Sequence, residues 1–423
     1  MLCQFNFRNF RSYKDEATID MQATSSDLFS GSLITGDEDS QRFLPVAAIF
    51  GTNAGGKSNA IKALRCLIGL VVNPLKLLRN NPIRENILCT PFGFDDESRN
   101  EPTEFEVYFR EKSKDNNEEL EYEYRYKILV KNNTIQYEAL HRKKTSKNSR
   151  ITCVFERTYE KADEEDKYST KIVLGACIKK DVKNPNDKES IKENIPYLTF
   201  LALAYNLEPI NTAMKFFGGC ISVNYANRVF EDHIISLEDE QFRNEIVGKM
   251  RDMGINISGV EIEKLDKNTV NVYFDHIVNN NEYKLEYYDE SDGTQKLFNV
   301  MPYVCKSLKN GNLLIIDELD AKLHPMILRH IIMLFKNKEY NKNGSQLIFT
   351  SHDVSIMKSS VLRTDEIWFA CKKDDESSDL YSLCELRDEN GNKISPNTAY
   401  DKQYLEGRYG ADPVFSSMEE YHV

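Results

Sequence analysis

The sequence predicts an α/β protein with a mixed central sheet, an antiparallel β lobe and an inserted helical segment. Three observations predict it. Phe43–Ile61 (FLPVAAIFGTNAGGKSNAI) runs from an apolar strand through a glycine-rich turn into a helix. In the last third, apolar strands alternate with amphipathic helices, the pattern of strands buried on both faces by helical crossovers. Between these parts lie long stretches of period-two alternation, which argue for antiparallel strands.

The 423 residues suffice for one large or two to three modest domains, and 40% hydrophobic content can fill a core. Against 55 basic side chains stand 67 acidic ones, a net charge of −12. That balance argues against indiscriminate attraction to nucleic acid or anionic membrane. Nine cysteines are scattered without any C-x2-C spacing, so they read as reduced thiols of a cytoplasmic protein and not as metal ligands. The N-terminus lacks the apolar core of a signal peptide, and no window reaches the ~18 apolar residues of a membrane span. A permease is thereby excluded; a membrane partner is not.

Taken in order, Leu2–Phe7 and Ala17–Asp20 read as a strand pair around Arg8–Tyr13, with Arg11 more readily a solvated turn residue than a phosphate contact. Thr24–Arg42 is polar and reads as a loop. Val46–Phe50 is a buried strand, and Ser58–Asn73 a helix with apolar residues at helical spacing, which Pro74 ends. From Glu104, the segments EFEVYFR, LEYEYRYKILV, TIQYEALHR and RITCVFERTY predict an antiparallel meander. The basic run His141–Lys144, with Lys147 and Arg150, is expected at a solvated hairpin tip. Lys161–Asp187 reads as irregular apart from Lys171–Ala176. Glu189–Phe217 and His233–Met253 are expected as helices flanking a strand-like CISVNY, too short for a long coiled coil. A second alternating block leads into a helix at Thr294–Leu308. Strands at Asn312–Ile316, Gln346–Thr350 and Glu366–Ala370 and a helix at Ala321–Phe335 follow.

The chemistry sits at four places. Gly51-x4-Gly56-Lys57-Ser58 is a phosphate-binding loop pattern in its proper strand-to-helix context. Gly51, Gly55 and Gly56 permit a turn whose amides face inward onto phosphate oxygens, with the positive helix end behind them. Lys57 then neutralises the β- and γ-phosphates, and Ser58 ligates Mg²⁺. Leu313–Ile316 delivers Asp317 and Glu318 at a strand's C-terminal end, where ligands of open α/β sheets sit. Asp317 suits Mg²⁺ through its water shell, and Glu318 suits polarising a water. His352, in FTSHD after the next strand, is placed to sense a γ-phosphate. Glu290–Gln295 opens a helix whose amides and Ser291 hydroxyl suit a phosphate.

The set GTNAGGKSN, ESDGTQ, LLIIDELDAKLHP and FTSHD resembles the ABC-type ATPases of the RecF, SMC and OLD group. PFGFDDESRNEPTEFEVYF, LRTDEIWFA and YLEGRYGADP resemble, more narrowly, the AAA15-type bacterial ATPases, with the RloA and AbiL-like components of phage-defence loci. The resemblance implies a phosphate-loop fold of the ABC/SMC-head type. It makes Gly51–Ser58 the Walker A loop, Asp317 and Glu318 the Walker B pair, and His352 the switch histidine. ATP would contact Gly51, Asn53, Gly55, Gly56, Lys57, Ser58 and Asn59 of one subunit. Ser291, Gly293 and Gln295 of another would complete the site, and Leu319–His324 would be the D-loop. Mg²⁺ would be held by Ser58 and Asp317; Glu318, His352 and Lys57 would be catalytic. Asp292 and Thr294 depart from the usual LSGGQ signature. The expected domains are residues 1–103 and 254–423 as the two ATPase halves, 104–180 as the β lobe and 181–253 as the helical insertion. Only about 50 residues follow Ala370, too few for a Toprim nuclease domain. The implied function is therefore a cytoplasmic, at least dimeric ATPase switch acting on a separate nuclease-type effector in anti-phage defence, with nucleic acid contacted through that partner. A RecF-like DNA-repair ATPase is the alternative.

Overall fold

The computed structural model describes residues 1–36, 41–74, 89–115, 118–161, 168–183, 192–223, 239–264 and 270–411. In chain order, β1 (Leu2–Arg8) and β2 (Ala17–Asp20) are followed by the short β3 (Ile34–Thr35) and β4 (Arg42–Phe43). β5 (Val46–Gly51) enters the glycine-rich turn and α1 (Lys57–Val72) leaves it. After α2 (Asp96–Asn100) come β6 (Thr103–Asp115), β7 (Glu118–Lys131), β8 (Thr134–Lys144), β9 (Thr152–Lys161) and β10 (Tyr168–Leu174). Then follow α3 (Tyr197–Ala204), α4 (Glu208–Gly219), β11 (Ile221–Val223), α5 (Glu240–Asp252), β12 (Gly259–Lys264), β13 (Val270–Val278) and β14 (Asn281–Glu286). The chain closes with α6 (Asp292–Asn310), β15 (Leu313–Ile316), α7 (Pro325–Lys336), β16 (Gln346–Thr350), β17 (Ile367–Lys372), β18 (Ser378–Ser382) and α8 (Tyr400–Leu405).

The central sheet has the order β11-β15-β16-β5-β17-β18, parallel except for the antiparallel edge pair β17–β18. Its apolar runs are continuous because both faces are covered. Ala47 and Ile49 of β5 join one core with Ile61, Leu64, Leu67 and Val71 of α1. Val46, Ala48 and Phe50 join the other core with Leu297, Met301 and Val304 of α6 and Leu328, Ile331 and Ile332 of α7. The consequence is mechanical: the turn after β5 is held between two packed layers.

The second large sheet has the order β10-β9-β8-β7-β6-β1-β2 and is antiparallel throughout. The antiparallel meander is as read from the alternation, but the sheet does not begin at residue 104. Phe5 and Phe7 of β1 lie opposite Val107 and Phe105 of β6, so the N-terminal strands and the meander share one face and one core. The strand read at CISVNY is β11, and it makes the segment 181–253 more than an insertion, because β11 is the edge strand of the central sheet, parallel to β15. The third sheet, β12-β13-β14, carries α5 and α6 against one face.

Several boundaries differ from expectation for local reasons. The helix read at Glu189–Phe217 is two helices; α4 begins afresh with Pro209 in its first turn, where a residue without an amide proton is tolerated. The helix read from Ala321 begins at Pro325, capped by His324, whose ring accepts from the Met326 amide at 3.2 Å. The loop read at 24–42 contains the β3–β4 pair. Of the basic run, Lys147 and Arg150 lie exposed in the β8–β9 connection as read, but the rest is not at a tip. His141 to Lys144 lie in β8, with Arg142 donating to Glu208 at 2.9 Å over the ring of Tyr122, and Lys143 3.0 Å from Glu123. Expected structure at residues 189–191, 224–225 and 233–238 falls outside the described residues. Among the described residues, no helix is long and apolar enough to cross a membrane.

Candidate functional site

The turn after β5 is shaped by backbone that only small residues accept. Gly51 has φ 140°, and a Cβ there would lie 2.0 Å from the carbonyl oxygen of Ala370 on β17. Gly56, at φ 117°, caps α1, and a Cβ would lie 2.5 Å from Ser378 Oγ. Side chains at either position would push the turn off its two neighbours. A second turn from β1 supports it: Tyr13 Oη donates to Gly56 O at 3.3 Å, and Asn59 Nδ2 donates to Ser12 Oγ at 2.8 Å. Gly55 is buried and Asn53 exposed at the rim.

Lys57 is buried at the start of α1, its ammonium donating to the carbonyls of Gly51 and Thr52, both at 2.8 Å. Burial pushes its pKa down, while Asp317, Asp320 and Glu318 pull it up. Three carboxylates therefore surround this lysine although 260 or so residues separate them from it in sequence. Their arrival follows from strand order. β15 and β5 are separated by one strand, β16, and all three end on the same side.

Ser58 Oγ donates to Asp317 Oδ1 at 3.1 Å, so the serine after the lysine and the first acid after β15 meet directly. Thr350, at the end of the intervening β16, donates its hydroxyl to the same Asp317 oxygen at 2.6 Å and accepts the Glu318 amide at 2.7 Å. One hydroxyl thus fixes both acids. Glu318 adopts φ 52° and is exposed, whereas Asp317 is partly buried. Asp320 accepts the His352 amide at 3.0 Å through Oδ2, while its buried Oδ1 has no hydrogen-bond partner among the described residues. The His352 residue itself is exposed.

Ser291 caps α6, accepting the Thr294 amide at 3.2 Å, and Gln295 donates back to Glu290 O at 2.8 Å. Asp292 is 2.8 Å from Lys322, and a Cβ on Gly293 would lie 3.2 Å from Lys322 O, so this helix start rests on the turn after Glu318. No hydrogen bond among the described residues joins Ser291, Gly293 or Gln295 to the phosphate loop of the same chain. One turn into α6, buried Lys296 reaches Glu318 O at 3.4 Å, and burial lowers its pKa to about 8 against the pull of Asp320 and Glu318.

The donor set fits a magnesium ion that keeps most of its waters. Ser58 Oγ and Asp317 Oδ1 are adjacent hard oxygens, and Asp317 is only partly buried. Among the described residues no cluster of three or more His, Cys, Asp or Glu side chains could hold a metal ion. Asp320 falls within the expected D-loop, whereas Thr350, Lys296, Ser12 and Tyr13 carry no role in the sequence reading. A threonine ending the apolar strand next to the acidic one was the available signal.

A profile described as "AAA domain, putative AbiEii toxin, Type IV TA system" matches residues 46–358, about three quarters of the chain. The chain belongs to this AAA-domain family. The match takes in the phosphate loop, the start of α6, the acids after β15 and His352. No curated protein matches the sequence. Among solved structures, this AAA-family chain is similar to an SmcHead bound to the C-winged helix domain of ScpA, at 14% identity and TM-score 0.44, over 93% of this chain and 99% of that one. It is similar also to the SMC head domain from Thermotoga maritima, at 14% identity and TM-score 0.37, over 90% and 98%. An Smc head domain with a coiled coil and joint derived from Pyrococcus yayanosii gives 12% identity and TM-score 0.41, over 96% and 99%.

Proposed function

We propose that this AAA-family protein hydrolyses ATP with Mg²⁺ and works as a dimeric switch over a separate effector in anti-phage defence. The observation that carries the ATPase reading is the 3.1 Å contact of Ser58 Oγ with Asp317 Oδ1 beneath the glycine-rich turn. Phosphate would sit in the turn, with Lys57 moving from the Gly51 and Thr52 carbonyls onto the β- and γ-oxygens. Bound magnesium supplies charge neutralisation across the phosphates, and Ser58 and Asp317 are the residues that would hold it. Glu318 orients and polarises the attacking water, and His352 faces the γ-phosphate end. Positioning and electrostatics do the work, without a covalent intermediate.

Ser291, Gly293 and Gln295 act on the nucleotide of a second copy, which makes association the output of ATP binding and hydrolysis its timer. The effector is a nuclease or toxin carried by another chain, a reading supported by the family description and by the resemblance to phage-defence ATPases. Direct DNA binding through the β lobe is less well supported, because Arg142 and Lys143 of its basic run are engaged with Glu208 and Glu123.

The test is Mg²⁺-dependent ATP hydrolysis by the purified chain beside Lys57→Ala. The variant is expected to lose both nucleotide binding and turnover. Unchanged affinity for ATP in Lys57→Ala would remove the phosphate-loop assignment.

A further inference from the structure

Nine cysteines are present, and two of them touch across the back of the phosphate-binding layer. Cys66 lies on α1, two turns beyond Ser58, and is fully buried. Cys89 is partly exposed. Their sulfurs are 3.2 Å apart. A disulfide needs about 2.0 Å, so the pair has to close by roughly 1 Å, within reach of small side-chain rotations.

The segment that follows Cys89 is stitched to the turn supporting the phosphate loop. Thr90 O accepts the Arg11 amide at 2.7 Å, and the Phe92 amide donates to Asn9 Oδ1 at 2.9 Å. That same turn presents Ser12 to Asn59 and Tyr13 to Gly56. A covalent link at this point therefore ties α1, the Arg11–Tyr13 turn and the glycine loop into one unit. Burial, and Cys89 beside it, push the Cys66 thiol well above its ordinary pKa, while the charge of Arg11 pulls the other way.

We infer that Cys66 and Cys89 are a redox site, forming a reversible disulfide that fixes the Cys89–Phe92 segment to the helix behind the phosphate loop. The oxidant is a low-molecular-weight disulfide. The accessible Cys89 thiolate attacks one of its sulfurs and expels the first small thiolate, leaving a mixed disulfide on Cys89. Cys66 loses its proton, attacks the Cys89 sulfur and expels the second. Two cysteine thiols become one S–S bond, the small disulfide is reduced to two thiols, and the two protons end on those thiols. This site is independent of the nucleotide reading.

The experiment incubates the full-length protein with oxidised glutathione, alkylates free thiols and maps tryptic peptides without reduction. Expected is a cross-link between the peptides 66–76 and 85–99, lost on adding dithiothreitol. The amides of Thr90 and Phe92 should exchange more slowly in the oxidised protein and recover on reduction. Cys89→Ser should abolish the cross-link and leave Cys66 alkylatable after denaturation; Cys66→Ala should leave Cys89 as a mixed disulfide. Exposed Cys177 serves as the internal control for the oxidant. Glutathione on Cys177 with Cys66 and Cys89 both remaining free thiols would overturn the inference, as would a stable mixed disulfide at Cys89 in the wild-type chain.

Discussion

Thr350 illustrates how much one hydroxyl can decide. It donates to Asp317 at 2.6 Å and accepts from the Glu318 amide at 2.7 Å, so the carboxylate proposed for magnesium and the one proposed for water share one support. Removing the hydroxyl in Thr350→Val leaves an amide and a carboxylate oxygen short of a partner, and such second-layer losses cost about 10–100-fold in activity or metal affinity. Turnover should fall by that factor while Thr350→Ser restores most of it, read as kcat across a magnesium titration. Lys296 makes a different, pH-dependent prediction. Its folded pKa is lowered to about 8 from 10.5, so between those values the unfolded chain holds the proton that the folded one has released. The folded state is therefore favoured as pH rises through that window, and the penalty for burying the ammonium is fully present below pH 8. The urea midpoint of the wild type relative to Lys296→Met should shift upward from pH 7.5 to pH 10; a flat difference would contradict the burial argument.

At the level of the elements, the end of α7 is joined to the approach to β17 by charges buried together. Lys336 and Glu366 are both fully buried and paired, and Arg363 pairs with Asp365 while donating to the Ser26 and Leu28 carbonyls. Burial pushes the Glu366 carboxyl up and the Lys336 ammonium down, each opposed by the other. Taking away one partner leaves the second charged and unsolvated, a loss of about 3–5 kcal/mol for buried pairs. Lys336→Ala should lose stability of that order in urea unfolding, with Lys336→Ala/Glu366→Leu recovering part of it. None of this pairing was readable in the sequence, where Lys336 simply follows the helix read to Phe335. The phosphate loop was readable, because its glycines answer to local backbone geometry at Gly51 and Gly56. So were the strands, whose alternation reflects which face is buried. What escaped depends on which strands become neighbours. β1 joining β6, β11 joining β15, Arg142 meeting Glu208 and Thr350 arriving between Ser58 and Asp317 are all long-range, and a single chain's pattern does not encode them.

For the molecule as a whole, the arrangement of its ligand-facing ends makes the last prediction. The phosphate loop, Asp317, Glu318 and His352 gather at the C-terminal ends of the parallel strands, as ligand sites in open α/β sheets do. Ser291 and Gly293 instead lie beside the Lys322 turn, with Gln295 folded back onto Glu290 and none of the three bonded to the chain's own loop. On the proposed reading, this helix start completes the nucleotide site of a second copy. Under that proposal, binding of ATP would stabilise association by mass action, and blocking hydrolysis would keep the associated state populated. Glu318→Gln with ATP and Mg²⁺ should double the mass measured by light scattering, return to the starting mass when nucleotide is removed, and fail to associate when Ser291→Arg is added. Glu318→Gln that binds ATP yet keeps one mass at every protein concentration would confine the chemistry to a single chain, and the switch would have to work without a second copy.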